Sequence, residues 1–298
     1  MFSRRHPVLF FLLMMSCCAT ALFLGVVILI FVSAKMVDTT GAYKESRANI
    51  GIIEVTGPIL SSKKIIEHIT SFREDEKIQA IVIRVDSPGG GIGPSQEIFR
   101  ELMKTRKAKK VVASMGSVAA SGGYYVAAAA EGIMANPGTI TGSIGVIMEY
   151  VNIMEVAKKI GISPVVIKSG EFKDMGSPLR ELGENEKILL QQLVDELHLQ
   201  FVTDTARARN ILQEDMTKLA DGRIYTGQNA LELNLIDRLG NLDDAVQWAG
   251  EMAGIEGRLV PTYPKETPIS VLRKIAQTLF KDLNISGTVT DNFRYIIN

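Results

Sequence analysis

The chain is poor in the residues on which several kinds of protein depend. Its cysteines are the adjacent pair Cys17 and Cys18, so no disulfide framework can staple the remainder. The three histidines, His6, His68 and His198, lie far apart, and no His, Cys or carboxylate cluster has zinc-ligand spacing. No metal and no other cofactor is expected. Neither sign of charge is in excess, since 33 Lys+Arg balance 33 Asp+Glu; a nucleic-acid partner, which calls for a basic surplus on at least one domain, is therefore not expected. No internal repeat or low-complexity tract interrupts the 298 residues, enough for one or two domains at roughly 100–200 residues each.

Hydrophobic residues make up 46% of the chain, and the excess sits at the N-terminus. Residues 8–32 carry no charge and include Leu12, Leu13, Leu22, Leu24, Val26, Val27, Ile28, Leu29 and Ile30. An apolar helix of about 20 residues crosses a bilayer core, so this run reads as a transmembrane signal anchor. A cleavable signal peptide ending near Val32-Ser33-Ala34 fits less well, because its apolar region is usually about 7–15 residues. A lipoprotein signal ending at Cys17 is weakened by the apolar run that continues past it. Arg4 and Arg5 in the flank 1–7 keep that end in the cytoplasm by the positive-inside rule. The expected localisation is the cytoplasmic (inner) membrane, single-pass, with everything after the anchor on the extracytoplasmic side.

Residues 33–48 read as a polar linker, and a folded domain is expected over 49–260. Ile50, Ile52, Ile53 and Val55 form a buried strand ended by Gly57-Pro58. Ser61 or Ser62 caps a helix with Ile65, Ile66 and Ile69 on one face. Strands follow at 80–85, 111–115, 133–135, 145–148 and 164–167, with helical runs at 95–104, 124–130 and 152–160. A long periodic helix spans 184–209, and another segment with Trp248 spans 242–253. Alternating strands and helices predict an α/β domain with a largely parallel sheet. From residue 261 the pattern weakens, and 261–298 is expected to be a C-terminal extension with a mobile tail.

Two segments carry chemistry. The run SMGSVAASGGYY (114–125) sets a serine at a strand-to-helix junction among Ala and Gly. There the unpaired N–H groups of a first helical turn face a developing negative charge, which suits a nucleophile; a small-residue packing site accounts for the same pattern. The run DSPGGG (86–91) closes a hydrophobic strand with a backbone free of Cβ atoms, as an oxyanion hole requires. A phosphate loop fails because no Gly-Lys-Ser/Thr follows.

A serine nucleophile needs a base. His6 lies in the flank, His68 in the first amphipathic helix and His198 inside the long helix, all poor candidates. Lysine remains. Lys173, in KSGEFKDMGSP (168–178), follows a buried-looking strand and neighbours Phe172 and Met175. Burial disfavours the charged form, and a neutral amine can take a serine proton, although a lysine flanked by Glu and Asp is ordinarily solvated.

The ordered combination of VDSPGGG (85–91), ASGGYY (120–125), TGSIGV (141–146) and SGEFKDMGSP (169–178) resembles the signal peptide peptidase A family, also called protease IV. DGRIYTGQNALELNLID (221–237) is similar to the family's segment after the long helix. The resemblance implies a Clp/crotonase-like α/β fold behind the N-terminal transmembrane helix, and a membrane-anchored serine endopeptidase that degrades released signal peptides, and misfolded exported proteins, with a Ser-Lys dyad. Matched motif to motif, the nucleophile is Ser121 and the general base Lys173. The oxyanion donors are Gly90 and Gly122, with Gly89 the alternative to Gly90. Ser143 and Ser169 are candidates for a hydroxyl that orients the lysine. One copy of the motifs marks the half-length form, in which one chain holds both dyad residues. The partners implied are peptide substrates, the membrane and further copies of the chain in a ring or dome. A crotonase-like acyl-CoA enzyme and a catalytically silent scaffold are the competing readings.

Overall fold

The computed structural model describes His6, Val8 and residues 10–25 and 48–264. The chain divides into two compact units, Met1–Ala48 and Asn49–Asn298. In the first, residues 10–25 are helical with exposed side chains. Among the described residues no helix is long and apolar enough to cross a membrane. The transmembrane helix expected over 8–32 is thus not found as a complete span, and its second half, 26–32, lies outside the described residues. So do most of the expected linker and the tail from 265 onward.

The second unit is built on one sheet. Its strands are β1 (Ile50–Thr56), β2 (Ala80–Ser87), β3 (Lys110–Ala120), β4 (Gly132–Ala135), β5 (Ile140–Gly142), β6 (Ile224–Thr226), β7 (Arg238–Leu239) and β8 (Pro261–Thr262). The helices are α1 (Lys63–Glu74), α2 (Ile92–Thr105), α3 (Gly122–Ala128), α4 (Met154–Lys159), α5 (Glu184–Arg209), α6 (Gln213–Leu219), α7 (Gly227–Glu232) and α8 (Leu242–Ala253). The order β6-β5-β3-β2-β1-β8, with β4 and β7 branching from β3, is parallel except where β5 meets β6. The sheet is therefore mixed. It also runs to Thr262, beyond the expected domain end at 260, because β8 pairs with β1.

β1 and β2 are apolar at nearly every position because both faces are covered. Ile50, Ile52, Val82 and Val112 pack against Ala245, Val246 and Ala249 of α8. On the opposite face α1 lies so close that a Cβ on Gly51 would fall 2.4 Å from the Phe72 ring. α1 and α2 are joined by ion pairing of Arg73 with Glu101. Ser62 precedes α1 as expected of a cap, but its hydroxyl donates to Glu97 of α2 rather than capping its own helix.

One irregularity positions the site. Val85 pairs with Met115 but Ser87 pairs with Ala119, so β3 bulges by extra residues between them. The Asp86 carboxylate fills the bulge, accepting the Val118 N–H at 3.1 Å. Only glycine fits opposite it, since a Cβ on Gly116 would approach Asp86 Cγ to 2.7 Å. Beyond the bulge β3 leaves β4 and pairs with β5. The strand was expected to stop at 115, but it continues to Ala120 and delivers Ser121 to the sheet's rim.

Two expected strands, 145–148 and 164–167, do not form. Both belong to a stretch between β5 and α5 that contains α4 and no strand. Val165 is 88% and Ile167 97% exposed; their β-branched apolar character is not used to build the sheet of this chain. At the far end of α5, the Arg209 guanidinium is 6% exposed and bonds both oxygens of Asp237 at 2.8 and 2.9 Å. Asp237 in turn accepts the Ile133 N–H of β4 at 2.7 Å. Arg209→Ala removes both guanidinium bonds from Asp237, leaving it the Ile133 N–H, and is expected to cost about 2 kcal/mol of stability, measurable by urea unfolding of the full chain.

Candidate active site

Ser121 stands between β3 and α3 with φ 52° and ψ −121°. Positive φ in a non-glycine residue costs about 1–3 kcal/mol and persists only where the surroundings enforce it. Here the Ser121 N–H donates to Gly142 O of β5 at 2.8 Å, and the Ser121 carbonyl accepts the Tyr125 N–H at 2.9 Å. The hydroxyl caps no backbone N–H of its helix. At 8% exposure the residue is buried but opens onto a cleft.

The glycine loop of 86–91 lies against it. Ser87 is fully buried, donates to Gly57 O at 2.6 Å and accepts the Gly89 N–H at 3.1 Å. On the other side, Ile59 donates to Gly89 O at 2.8 Å and accepts from Gly91 N at 2.9 Å. These bonds leave the Gly90 N–H pointing away from Ile59, and among the described residues neither it nor the Gly122 N–H has a backbone acceptor. The Gly90 nitrogen lies 3.3 Å from where a Cβ of Gly122 would stand. Two free donors thus flank Ser121, whereas the Gly89 donor is already engaged.

Close packing dictates glycine at these positions. A Cβ on Gly122 would fall 2.5 Å from Ser95 Oγ, and one on Gly123 2.6 Å from Ser87 O. Gly89, at φ +106°, would place a Cβ 2.7 Å from the Gly122 nitrogen and 2.8 Å from Ser121 Cβ. Gly89→Ala therefore crowds both the donor at Gly122 and the Ser121 side chain. The expected result is a loss of about 100- to 1000-fold in kcat with a small change in KM, read with a fluorogenic peptide.

The cleft is lined by Gly90, Ile92, Ser95, Ser121, Gly122, Tyr125, Gly145, Val146, Leu197 and Phe201. Tyr125 stacks on Phe201 at 4.4 Å between ring centres and donates to Asp204 Oδ2 at 2.6 Å. Burial, then that hydrogen bond, pushes the Tyr125 phenol well above its ordinary range, so it stays neutral. No charged side chain belongs to the lining. An apolar wall of this kind accepts a small or apolar side chain beside the reacting carbonyl, but supplies no base.

The other predicted residues lie elsewhere. Ser143 is half-buried with φ 49° and donates its N–H to Arg223 O at 2.8 Å, next in sequence to Gly142, which holds Ser121. Ser169 and Lys173 are exposed in the stretch before α5. Phe172 is 40% exposed, so the burial expected around Lys173 from its apolar neighbours is not found within one chain. His68 lines a separate groove with Glu54, Leu60 and Lys64, and His198 is partly buried on α5. Neither histidine reaches the cleft lining. Among the described residues no group of His, Cys, Asp and Glu could hold a metal ion.

Sequence reasoning did not name the cleft walls. Leu197 and Phe201, four apart on α5, carried only the ordinary spacing of a helix face. A second unnamed feature is an ionic clamp. Arg180 donates to Asp174 Oδ2 at 2.8 Å and Oδ1 at 2.9 Å, and also to Glu186 Oε2 at 2.7 Å. Glu186, in the first turn of α5, also accepts the Gly183 N–H at 2.8 Å. Lys168 bonds Asp174 Oδ1 at 2.7 Å and Glu171 O at 2.6 Å. The clamp fastens the Lys173 turn to the start of α5, three turns of helix before Leu197.

A buried serine beside paired free N–H donors suits attack on an acyl carbon and defines a serine hydrolase. Comparison with known proteins agrees. Residues 47–141 match the family described as Clp protease, and residues 103–256 match Peptidase family S49. A putative protease of Synechocystis sp. is 46% identical over 82% of this chain and 91% of its own length. A putative signal peptide peptidase SppA of Enterococcus faecium is 34% identical over 69% of this chain and 60% of its own. Protease 4 of Salmonella typhi is 33% identical over 82% of this chain but 37% of its own length. The chain belongs to peptidase family S49, with a Clp-protease-like α/β fold, and is a serine endopeptidase.

Proposed function

We propose that the protein is a membrane-anchored peptidase that degrades signal peptides with a dyad of Ser121 and Lys173, completed between copies of the chain. The observation that carries the reading is the strained Ser121 flanked by the free N–H groups of Gly90 and Gly122. Ser121 Oγ attacks a peptide carbonyl while the neutral Lys173 amine takes its proton. The tetrahedral oxyanion is held by the two N–H groups. As the C–N bond breaks, Lys173 returns the proton to the leaving amine, and a water activated by the same amine hydrolyses the acyl-enzyme.

The second copy follows from what one chain leaves undone. Its cleft has no charged lining residue, and its Lys173 is exposed on a clamped turn outside the lining. The same stretch exposes Val151, Val156, Ile160, Val165 and Ile167, each at 60% or more. An apolar patch beside an unemployed base is accounted for if a neighbouring copy covers the patch and receives the base. Membrane anchoring is supported by the uncharged run 8–32. Signal-peptide substrates are supported by the apolar cleft and by the name of the Enterococcus faecium relative.

The test is labelling of the full chain in detergent with a fluorophosphonate probe. Labelling at Ser121 that is lost in Lys173→Ala, with cleavage of a fluorogenic signal-peptide sequence lost in parallel, is the expected result. Unlabelled wild-type protein in its assembled form would return the scaffold reading to the front.

A further inference from the structure

The clamp around Arg180 has no part in the fold of the sheet. Its members are Lys168, Glu171 and Asp174 from the Lys173 turn, Arg180 and Glu181 from the chain that follows, and Glu184, Glu186 and Lys187 from the first turn of α5. Lys187 pairs with Glu184 and leaves Glu186 to Arg180. Among the described residues Arg180 joins the two ends, bonding both oxygens of Asp174, the Asp174 carbonyl and the Glu181 carbonyl as well as Glu186. A planar guanidinium can address two carboxylates at once in fixed directions, whereas a lysine ammonium is a point charge on a flexible stem.

Lys173 sits beside Asp174, and among the described residues its ammonium has no hydrogen-bond or ion-pair partner. Its backbone N–H donates to Gly170 O at 3.3 Å and Met175 closes on Phe172 at 3.1 Å; Gly176 lies against the Tyr150 ring, and the clamp ties the turn to α5. From the geometry we propose that Arg180 is a positioning residue: forked between Asp174 and Glu186, it fixes the Lys173 turn on α5 and neutralises the carboxylate beside the base. The proposal rests on the reading of Lys173 as general base. The bond from Arg180, then that from the Gly183 N–H, holds the Glu186 carboxyl down to about 2, and Arg180 holds Asp174 below the usual carboxylate range. Both carboxylates are thus charged, and the clamp closed, throughout the pH range in which a lysine can serve as base.

The two functions of Arg180 separate by substitution. Arg180→Gln leaves Asp174 with Lys168 as its remaining partner, and its negative charge then favours the ammonium form of Lys173. The midpoint of the rise of kcat/KM with pH should move up. Asp174→Asn frees the guanidinium instead and should move the midpoint down. Arg180→Lys keeps the charge but loses the fork, so its midpoint stays near wild type. All three should lower kcat about 10- to 100-fold through misplacement of the base, with KM for a short fluorogenic peptide little changed.

The full chain in detergent is assayed from pH 6 to 10, with folding followed by circular dichroism. Should Arg180→Gln not fold, Arg180→Lys and Asp174→Asn carry the test. Wild-type kcat in the folded variants, or midpoints that move in the same direction for Arg180→Gln and Asp174→Asn, would overturn the positioning role. Activity retained in Lys173→Ala would instead overturn the base assignment on which it rests, so the two failures are told apart.

Discussion

Ser121→Ala and Lys173→Ala chains, each inactive alone, are expected to regain peptidase activity when co-assembled. On the proposed reading either change removes a member of one catalytic unit and should lower kcat by at least about 10⁴-fold, because such groups act together rather than additively. Recovery depends on where the base comes from. Within one chain Lys173 is exposed, and the Arg180 clamp fastens its turn to Glu186 at the start of α5. The cleft wall begins at Leu197, about 16 Å further along that helix at 1.5 Å per residue. A base delivered to a neighbour's Ser121 makes random co-assembly productive wherever an intact Ser121 meets an intact Lys173. For equal amounts of the two chains that is roughly a quarter of sites in a symmetric ring. The measurement is cleavage of a fluorogenic signal-peptide sequence by co-expressed, differently tagged chains purified through both tags. Absence of recovery, with each parent inactive, would mean that the base acts within its own chain after the clamp opens.

The same geometry explains which parts of this protein could be read from its residues. The strands at 50–55 and 80–85 were legible because they are buried on both faces, so β-branched residues run almost without interruption. α5 was legible from end to end, since it is long, periodic and bounded by Gly183 and by Asn210 in the left-handed conformation. The serine turn and the glycine loop were visible because close backbone approach excludes side chains, and sequence records that exclusion directly. The runs 145–148 and 164–167 misled for a physical reason. Apolar β-branched residues signal burial, but a sequence does not say against what, and Val165 and Ile167 are exposed in this chain. β5 escaped because three residues carry no period, although its Gly142 holds Ser121. The Arg180 clamp escaped because Asp174, Arg180 and Glu186 are six apart, a spacing that matches neither strand nor helix.

Placing aspartate at both Val165 and Ile167 should dissolve the assembly while leaving the single chain folded. These side chains are 88% and 97% exposed, so within one chain they have almost no packing to lose. Between copies each would forfeit about 1.5 kcal/mol or more of apolar burial, before the cost of desolvating the new carboxylates. Together that is at least about 3 kcal/mol per interface, or roughly a hundredfold in Kd. If copies assemble as proposed, light scattering of the detergent-solubilised full chain should report monomers for the double variant and a larger species for wild type, with an unchanged circular dichroism spectrum. On the proposed reading peptidase activity should fall in step with assembly, because every Ser121 would then lack the lysine of a neighbour. Fluorophosphonate labelling should fall with it, since the nucleophile needs the same base. A double variant that stays assembled, or one that is monomeric and fully active, would detach the apolar stretch from catalysis and return Lys173 to its own chain's cleft.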